Sequence, residues 1–506
     1  MEKIYNSTKQ VLTFSDTWKT DLIAGFGVSL LALPLCLAIA TASGFPPISG
    51  IITAIVGGLF ASRFSGSYIT IYGPAAGLIV VNLHTVNLLG GVEYALAAIA
   101  VAGVLIFLSG LFKIGKLSDF FPSSVVRGML TSIGIIIIVK QLFIAFGVNI
   151  ASSSILDSIL QLPLIFSNLN YSVALIAGIS FGILVVHPML KIKIVRMIPA
   201  PVWVLVCAVI VGNIVQLPAD GLVKLPSDLA GSIPLPDFSK INSFPFWISV
   251  VSIAIITSLE SLLSTTSLDS LDPLKRKSDL NKDLSAIGLG SSVAAIIGGL
   301  PMISEVVRST ANVSLGGKTP WANFFHAIFL LLFVLLGISF INQIPIAALA
   351  VMLIMVGCNL ASPKHFIAIY KKGHIEFITF ICTILGVLLT DLLIGIVIGI
   401  VVELILHYLK GFPISKTFTT EYTISEQTDH TQLKVKGGVI FSNYFLSLKK
   451  QIVALSNNTD LVIDFTEVTY LSESAWTKIE DLIQNTYLTK QKVKVLNTNH
   501  LLKQKI

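Results

Sequence analysis

The stretch GGLPMISEVVRSTAN, residues 298–312, places an arginine, Arg308, between two apolar segments of membrane-spanning character. A charged side chain at the centre of a membrane helix costs about 2.5–3.5 kcal/mol on insertion scales, so it generally has a function. The stretch also contains two glycines and a proline, which interrupt a regular helix. These features predict a short, broken membrane segment built around a functional arginine.

The composition of the whole chain is that of a polytopic membrane protein. Of the 506 residues, 54% are hydrophobic and 12% are charged, whereas a soluble protein has about 25% charged residues. The apolar runs approach the length of a membrane helix, and they lack the period-two alternation of a β-barrel. The predicted fold class is therefore an α-helical polytopic membrane protein with about fourteen spans. The predicted spans are residues 21–42, 48–62, 73–86, 94–112, 123–147, 171–190, 197–215, 246–268, 284–299, 302–313, 321–340, 343–359, 374–390 and 391–409.

The distribution of basic residues predicts the orientation of these spans. With residues 1–20 as a cytoplasmic N-terminal segment, most lysines and arginines between the spans fall on the cytoplasmic side, as does the C-terminus. The first twenty residues lack the pattern of a cleavable signal peptide. The net charge of +7 is dispersed at the ends of the spans rather than gathered on one face, so no nucleic-acid partner is expected.

A second broken segment, residues 66–83, has the same design as the first. Its sequence, GSYITIYGPAAGLIVVNL, is β-branched and extended up to Tyr72 and is compatible with a helix from Pro74. It is the third span of the first seven, and 302–313 is the third span of the second seven. Because seven is odd, a duplicated half must be inverted, and matched broken segments indicate a central binding site. The sequence thus predicts a seven-plus-seven inverted repeat.

The helix N-termini at the two breaks would offer N–H donors to an anion. Small residues in GPAAG would let a ligand approach the backbone, although close helix packing explains them equally well. Glu305 lies one helical turn before Arg308, so either the two side chains pair, or Arg308 attracts an anion that Glu305 opposes. The candidate substrate-binding residues are Tyr72, Gly73, Pro74, Ala75, Ala76, Gly77, Ile303, Ser304, Glu305 and Arg308.

Glu260 is a further acid predicted to lie within the membrane, and Ser264 follows at i+4 on the same helix face. The pair forms a candidate Na⁺ site, or Glu260 alone carries a proton; a helix–helix hydrogen bond and pairing with Arg308 are the structural alternatives. No other metal and no cofactor is expected. The four cysteines lie in apolar spans without CxxC spacing and are expected to be buried thiols. The sequence has no HExxH, Walker or GxSxG motif, so no enzymatic activity is predicted.

After Lys410 the composition becomes mixed polar. Residues 411–506 alternate strand-like and helix-like stretches, namely QLKVKGGVIFSN, YFLSLKKQIVALS, TDLVIDFTEV, ESAWTKIEDLIQNTYL and KVKVLNT. Such alternation is typical of a small α/β domain. The predicted domains are therefore the N-terminal segment 1–20, the transmembrane transport domain 21–410 and a short cytoplasmic domain 411–506.

Several stretches together resemble the SulP family of sulfate permease-like anion transporters, across essentially the whole membrane portion. The clearest are ALPLCLAIATASGFPPISGIITAIVGG, SGSYITIYGPAAGL, FPSSVVRGMLTSIGIIIIVKQL and VRSTANVSLGGKTPWAN, and VIDFTEVTYLSESAW is similar to the C-terminal STAS domain of that family. The resemblance implies that a core of spans one to four and eight to eleven moves against a gate formed by the remainder. It places substrate between the half-helices of spans three and ten, a coupling cation at Glu260 and Ser264, and two chains in a homodimer.

The chain departs from the family pattern at two motifs, and its STAS-like domain is expected to be shorter than usual. Glu305 stands where relatives often have a small or hydroxylated residue, which opposes simple attraction of an anion. SESA, residues 472–475, replaces a DSSG-like signature, so Ser474 is a weak phosphoacceptor candidate and helix capping by Ser472 or Ser474 is favoured.

The predicted function is secondary transport of a small inorganic anion, bicarbonate or sulfate, by alternating access with Na⁺ or H⁺ as coupling ion. The alternatives are a nucleobase or organic-anion carrier of the same fold, and an anion-gated channel or sensor that signals through the STAS-like domain. The expected location is the bacterial inner membrane, with lipid around the spans and both termini in the cytoplasm.

Overall fold

The computed structural model describes residues 14–115, 121–148, 155–190, 192, 198–225, 233–269, 271–426, 430–456, 461–486 and 493–496. Most of the predicted N-terminal segment and the last ten residues of the chain therefore lie outside the described part. So do Lys116, Lys191, Lys193 and Arg196, which are among the basic residues that predict the orientation.

The apolar part of the chain is helical, because its long apolar runs satisfy their backbone hydrogen bonds internally, as a bilayer requires. A helix stands at each of the fourteen predicted segments. Within the described residues, nine helical stretches are long and apolar enough to cross a membrane. The helices are α1 (Phe14–Ala42), α2 (Pro47–Val56), α3 (Ile79–Leu89), α4 (Val92–Leu111), α5 (Ser123–Ala145), α6 (Ile155–Gln161), α7 (Tyr171–Val186), α8 (Ala200–Ile214), α9 (Phe244–Asp269), α10 (Leu280–Ile296), α11 (Val306–Ser314), α12 (Trp321–Ile341), α13 (Ile346–Leu360), α14 (Pro363–Lys372), α15 (His374–Leu389) and α16 (Leu392–Leu409).

The chain forms two compact units. The first contains residues 1–115 and 134–359, and the second contains residues 116–133 and 360–506. In the first unit, α4 packs against α10 and α1 packs against α12 and α2. In the second unit, α15 packs against α16. The two broken segments both belong to the first unit.

The C-terminal domain contains a four-stranded mixed sheet. Its strands are β3 (Glu421–Glu426), β4 (Thr431–Val439), β5 (Leu461–Leu471) and β6 (Val493–Leu496). They lie in the order β3-β4-β5-β6, with β3 antiparallel to β4 and the other neighbours parallel. Helices α17 (Lys449–Ser456) and α18 (Glu473–Thr486) follow the predicted pattern. The sequence did not predict strand β3, because EYTISE is a largely exposed edge strand without a buried face.

The cysteines differ from the sequence prediction. Only Cys36 is buried, whereas Cys207 and Cys382 are half-buried and Cys358 is exposed. All four are free thiols. In a membrane protein an apolar helix face does not need to be covered by protein, because lipid tails are as apolar as a protein core. Hydropathy therefore predicts an apolar setting for a cysteine but not its burial by protein.

Candidate functional site

The two broken segments meet through a short pair of antiparallel strands. Strand β1 (Tyr72–Gly73) pairs with strand β2 (Ile303–Ser304), so that Tyr72 faces Ser304 and Gly73 faces Ile303. The backbone N–H of Glu305 extends the pairing by donating to the Ile71 carbonyl at 3.0 Å. All four strand residues are buried. The structure thus brings together the two segments that the sequence matched by position, although they lie more than two hundred residues apart.

A short helix follows each strand. After β1, Ala75 is extended, and a 3₁₀ turn at Ala76–Leu78 leads into α3. Pro74 is therefore not the first helical residue, as the sequence suggested, but precedes the turn by two positions. After β2, helix α11 begins at Val306. The N-termini of both helices thus lie directly beside the paired strands.

The Arg308 side chain is completely buried at this crossing. Its Nη2 donates a hydrogen bond of 2.9 Å to the Pro74 carbonyl, which joins α11 to the other broken segment. Within the described residues, Nε and Nη1 have no hydrogen-bond partner, and no carboxylate lies within salt-bridge distance of the guanidinium. An unpaired buried charge is strongly unfavourable unless a counter-charge satisfies it. The arrangement is therefore suited to bind an anion.

Glu305 caps helix α11. Its Oε2 accepts hydrogen bonds from the backbone N–H of Val307 at 3.1 Å and of Arg308 at 3.4 Å. A carboxylate in this position satisfies the first N–H groups of the helix and offsets the positive end of its dipole. Glu305 consequently engages the backbone of Arg308 rather than its guanidinium.

Two glycines of the first break face charged side chains. A Cβ on Gly73 would overlap Nη1 of Arg308, and a Cβ on Gly77 would overlap the Glu260 carboxylate. The sequence suggested that small residues here let a ligand approach the backbone. In the structure, they first of all make room for the two charged groups of the site.

Glu260 lies on α9, beside the turn that begins α3. Its Oε2 is buried without a hydrogen-bond partner among the described residues. Ser264, one turn further along α9, is also buried. The predicted cation pair is thus adjacent to the broken segments, while the described residues contain no group of three or more His, Cys, Asp or Glu side chains able to hold a metal ion.

Asp283 organises a polar network that sequence reasoning missed. It lies on α10, is buried, and accepts a hydrogen bond from the Tyr72 hydroxyl at one carboxylate oxygen. Its other oxygen accepts from Thr265 at 2.7 Å and from Ser304 at 3.0 Å. One carboxylate therefore fastens both strands to α9 and α10.

The SESA signature of the C-terminal domain is buried in the second unit. Ser472 caps α18 by accepting from the Ala475 N–H at 3.2 Å, as predicted. Ser474 is inaccessible, and its hydroxyl donates to Glu403 Oε1 of α16 at 3.2 Å. Glu403 also accepts from Ser124 at 2.7 Å. Ser474 is thus a structural hydrogen-bond donor, and its burial argues against a role as a phosphoacceptor in this arrangement.

Comparison with known proteins gives consistent matches. The sequence model of the Sulfate permease family matches residues 18–383. YvdB of Bacillus subtilis, named as a candidate sulfate transporter, is 29% identical over 385 residues, which are 73% of this chain and 70% of YvdB. The bicarbonate transporter BicA of Picosynechococcus is 25% identical over 352 residues, which are 67% of this chain and 61% of BicA.

Two solved structures share the fold. The transmembrane domain of a cyanobacterium bicarbonate transporter BicA superposes with a TM-score of 0.68 at 24% identity, covering 76% of this chain and 98% of that chain. The structure of SLC26A9 superposes with a TM-score of 0.69 at 15% identity, covering 98% of this chain and 86% of that chain. The helical fold is therefore that of known membrane transport proteins.

Proposed function

Because the chain belongs to the sulfate permease family, we propose that it is a secondary transporter that moves a small inorganic anion by alternating access. The substrates we propose are bicarbonate and sulfate, in line with the names of BicA and YvdB. The observation that carries the proposal is the buried Arg308 guanidinium, with two nitrogens free of partners in the described part of the chain. A small anion would supply the acceptors that these donors need.

The charges around the site support coupling to a cation. Glu260 and Glu305 together carry two negative charges when ionised, against one positive charge on Arg308. Adding an anion to this set is unfavourable unless a Na⁺ ion or a proton neutralises one carboxylate. Glu260 and Ser264 hold the coupling ion in our proposal, because the Glu260 Oε2 atom is buried beside the site without a donor among the described residues.

The geometry argues against a nucleobase carrier, and flux coupling distinguishes a transporter from the channel or sensor alternative. A nucleobase carrier would use acids on spans eight and ten to bind a base, but the Glu305 carboxylate is already engaged as the cap of α11. A channel or sensor would not require an anion to move with a coupling ion. The ratio of anion flux to Na⁺ or H⁺ flux therefore separates a transporter from a channel.

The membrane setting completes the proposal. The protein is an integral membrane protein of the bacterial inner membrane, and the basic residues between the spans support cytoplasmic N- and C-termini. The STAS-like domain, residues 411–506, faces the cytoplasm. Assembly as a homodimer is proposed from the family resemblance.

Uptake into proteoliposomes tests the function directly. Labelled bicarbonate, sulfate, a dicarboxylate and uracil are supplied separately, each with and without a Na⁺ gradient and a pH gradient. We expect saturable uptake of bicarbonate or sulfate that one of the gradients stimulates. Uptake of uracil alone would support the nucleobase carrier and overturn our proposal.

Arg308 variants test the site within the same assay. Arg308→Ala removes the guanidinium, while Arg308→Lys keeps the charge but not the forked donors. We expect Arg308→Ala to abolish saturable anion uptake and Arg308→Lys to retain a weakened activity. Arg127→Ala serves as control, because it removes an exposed arginine of α5. Wild-type uptake by a correctly folded Arg308→Ala protein would refute the site.

A further inference from the structure

A cleft with a volume of about 920 Å³ lies in the second compact unit, separate from the residues of the proposed anion site. Its walls come from the α14–α15 junction, the chain after α16 and the sheet of the C-terminal domain. The volume is in the range of pockets that bind cofactor-sized ligands, about 300–1,000 Å³. Five lysines line the cleft: Lys371, Lys372, Lys410, Lys416 and Lys436.

Two of these lysines are partly neutralised by protein carboxylates. Lys416 pairs with Glu421, which also lines the cleft, and this hydrogen-bonded pairing lowers the pKa of the Glu421 carboxyl. Lys436 Nζ lies 3.4 Å from Glu467 Oε2. Both ion pairs are solvent-exposed, so a ligand with a stronger charge can compete with them.

The remaining three lysines, Lys371, Lys372 and Lys410, form no salt bridge with any residue that the structure describes. They stand at the ends of α14 and α16 and converge on the same cleft. Like charges that share a cleft repel one another, so the protein alone leaves this arrangement unfavourable. An anion with several charges would relieve the repulsion at all three positions.

Backbone and acidic groups refine the chemistry of the cleft. Gly373, Gly411 and Gly437 line it with positive φ angles, so main chain rather than side chain forms these parts of the wall. The other acids of the lining are Glu473 and Glu376, and Glu376 is buried, with its carboxylate close to Gly373 at the start of α15. The lining therefore contains more basic than acidic residues.

We propose that this lysine-lined cleft binds a ligand that carries at least two negative charges on phosphate groups. The ligand is either a soluble phosphorylated compound of nucleotide size or the headgroup of a phospholipid that carries two phosphate groups. Lysine binds phosphate as a compact point charge and does not require a planar acceptor, which suits both sources. Because the cleft contacts α14, α15, the chain directly after α16 and the C-terminal sheet, its ligand would tie the membrane helices of this unit to the C-terminal domain.

The test uses the full chain in lipid nanodiscs. In the first arm, nanodiscs contain only phosphatidylcholine, and ATP and inorganic pyrophosphate are titrated by calorimetry. In the second arm, the nanodiscs also contain cardiolipin, whose headgroup carries two phosphate groups, and native mass spectrometry counts the cardiolipin molecules that stay bound. The variant replaces Lys371, Lys372 and Lys410 together by glutamine. The control carries the same change at three exposed lysines outside the cleft, Lys19, Lys364 and Lys450.

We expect the triple variant to bind at least about tenfold more weakly to whichever probe the wild type binds. The affinity of the control variant for that probe should stay within about twofold of wild type. Loss confined to ATP or pyrophosphate identifies a soluble ligand, and loss confined to cardiolipin identifies a lipid headgroup. If all probes bind the wild type and the triple variant equally, or none binds the wild type, the proposal is wrong. If the triple variant does not fold, Lys410→Gln alone is used. The same loss of probe affinity is expected, but it should be smaller.

Discussion

Replacing Gly73 by alanine should weaken substrate binding by displacing the Arg308 guanidinium. A Cβ at Gly73 would overlap Nη1 of Arg308 and lie 3.4 Å from its Cζ. Because Arg308 is fully buried, the guanidinium cannot swing into solvent. It must shift within its packed surroundings, which breaks the hydrogen bond of 2.9 Å from Nη2 to the Pro74 carbonyl.

The size of the effect follows from that hydrogen bond. A hydrogen bond from a charged donor contributes about 1.5–3 kcal/mol. If the hydrogen bond holds the guanidinium in the orientation that binds the anion, its loss weakens anion binding by the same free energy. The apparent KM for the anion then rises by about tenfold to about 150-fold. The maximal rate should change less, because the guanidinium keeps its charge.

Saturation curves of anion uptake into proteoliposomes measure this change. Gly178→Ala is the matched control, since a Cβ at Gly178 on α7 meets no atom within 4 Å. Both variants are first compared with wild type by size-exclusion chromatography and thermal unfolding. A folded Gly73→Ala protein whose KM stays within about twofold of wild type would show that the overlap is relieved without cost to the site.

A double-mutant cycle separates the guanidinium from other effects at Gly73. Lysine at position 308 lacks the Nη1 atom that the new Cβ would meet. Gly73→Ala should therefore raise KM much less in an Arg308→Lys background than in the wild type. Equal effects in both backgrounds would mean that the alanine acts on the strand pairing rather than on Arg308.

Three further substitutions probe the polar contacts of the structure. Asp283→Asn should leave one buried hydroxyl of the network without an acceptor, costing about 1–3 kcal/mol and lowering the melting temperature, whereas Asp220→Asn at an exposed position should not. Glu305→Gln retains an oxygen for the helix cap but removes a negative charge near the guanidinium, so KM for the anion should fall; an increase would contradict the assigned electrostatics. Ser474→Asp places a carboxylate against buried Glu403 and should speed limited proteolysis of the C-terminal domain, while Ser474→Ala should have a much smaller effect.

Much of the fold was predictable because a bilayer restricts the backbone so strongly. Helices occur where hydropathy predicts them, including the short segment 302–313, which becomes α11 between Val306 and Ser314. The sequence also predicted the alternation of strands and helices after Lys410, except for the exposed strand β3. The sequence did not predict which helices pack together, because a helix that is apolar on all sides presents no distinct face to a neighbour.

The meeting of the two broken segments was predictable from the sequence, but the contacts between them were not. Gly and Pro marked both breaks, yet the pairing of Tyr72 with Ser304 rests on strands of only two residues, too short for any periodic signal. Asp283 was missed because it stands near Lys282 at the polar start of α10, where a solvated turn is the ordinary interpretation. Its partners come from three separate segments, so only the tertiary structure reveals its role.

Glu260→Gln separates the two possible coupling ions, because glutamine resembles a protonated glutamate but holds a cation poorly. If a proton is the coupling ion, the variant is permanently in the neutral state, so anion binding persists and uptake loses its response to a pH gradient. If Na⁺ is the coupling ion, the variant lacks the charge that attracts Na⁺, so stimulation by Na⁺ disappears. Anion exchange and net uptake are measured with each gradient in turn, and Ser264→Ala should weaken only the Na⁺ response. Unchanged responses to both gradients in a folded Glu260→Gln protein would remove Glu260 from the coupling site, despite its buried Oε2 beside the turn at Gly77.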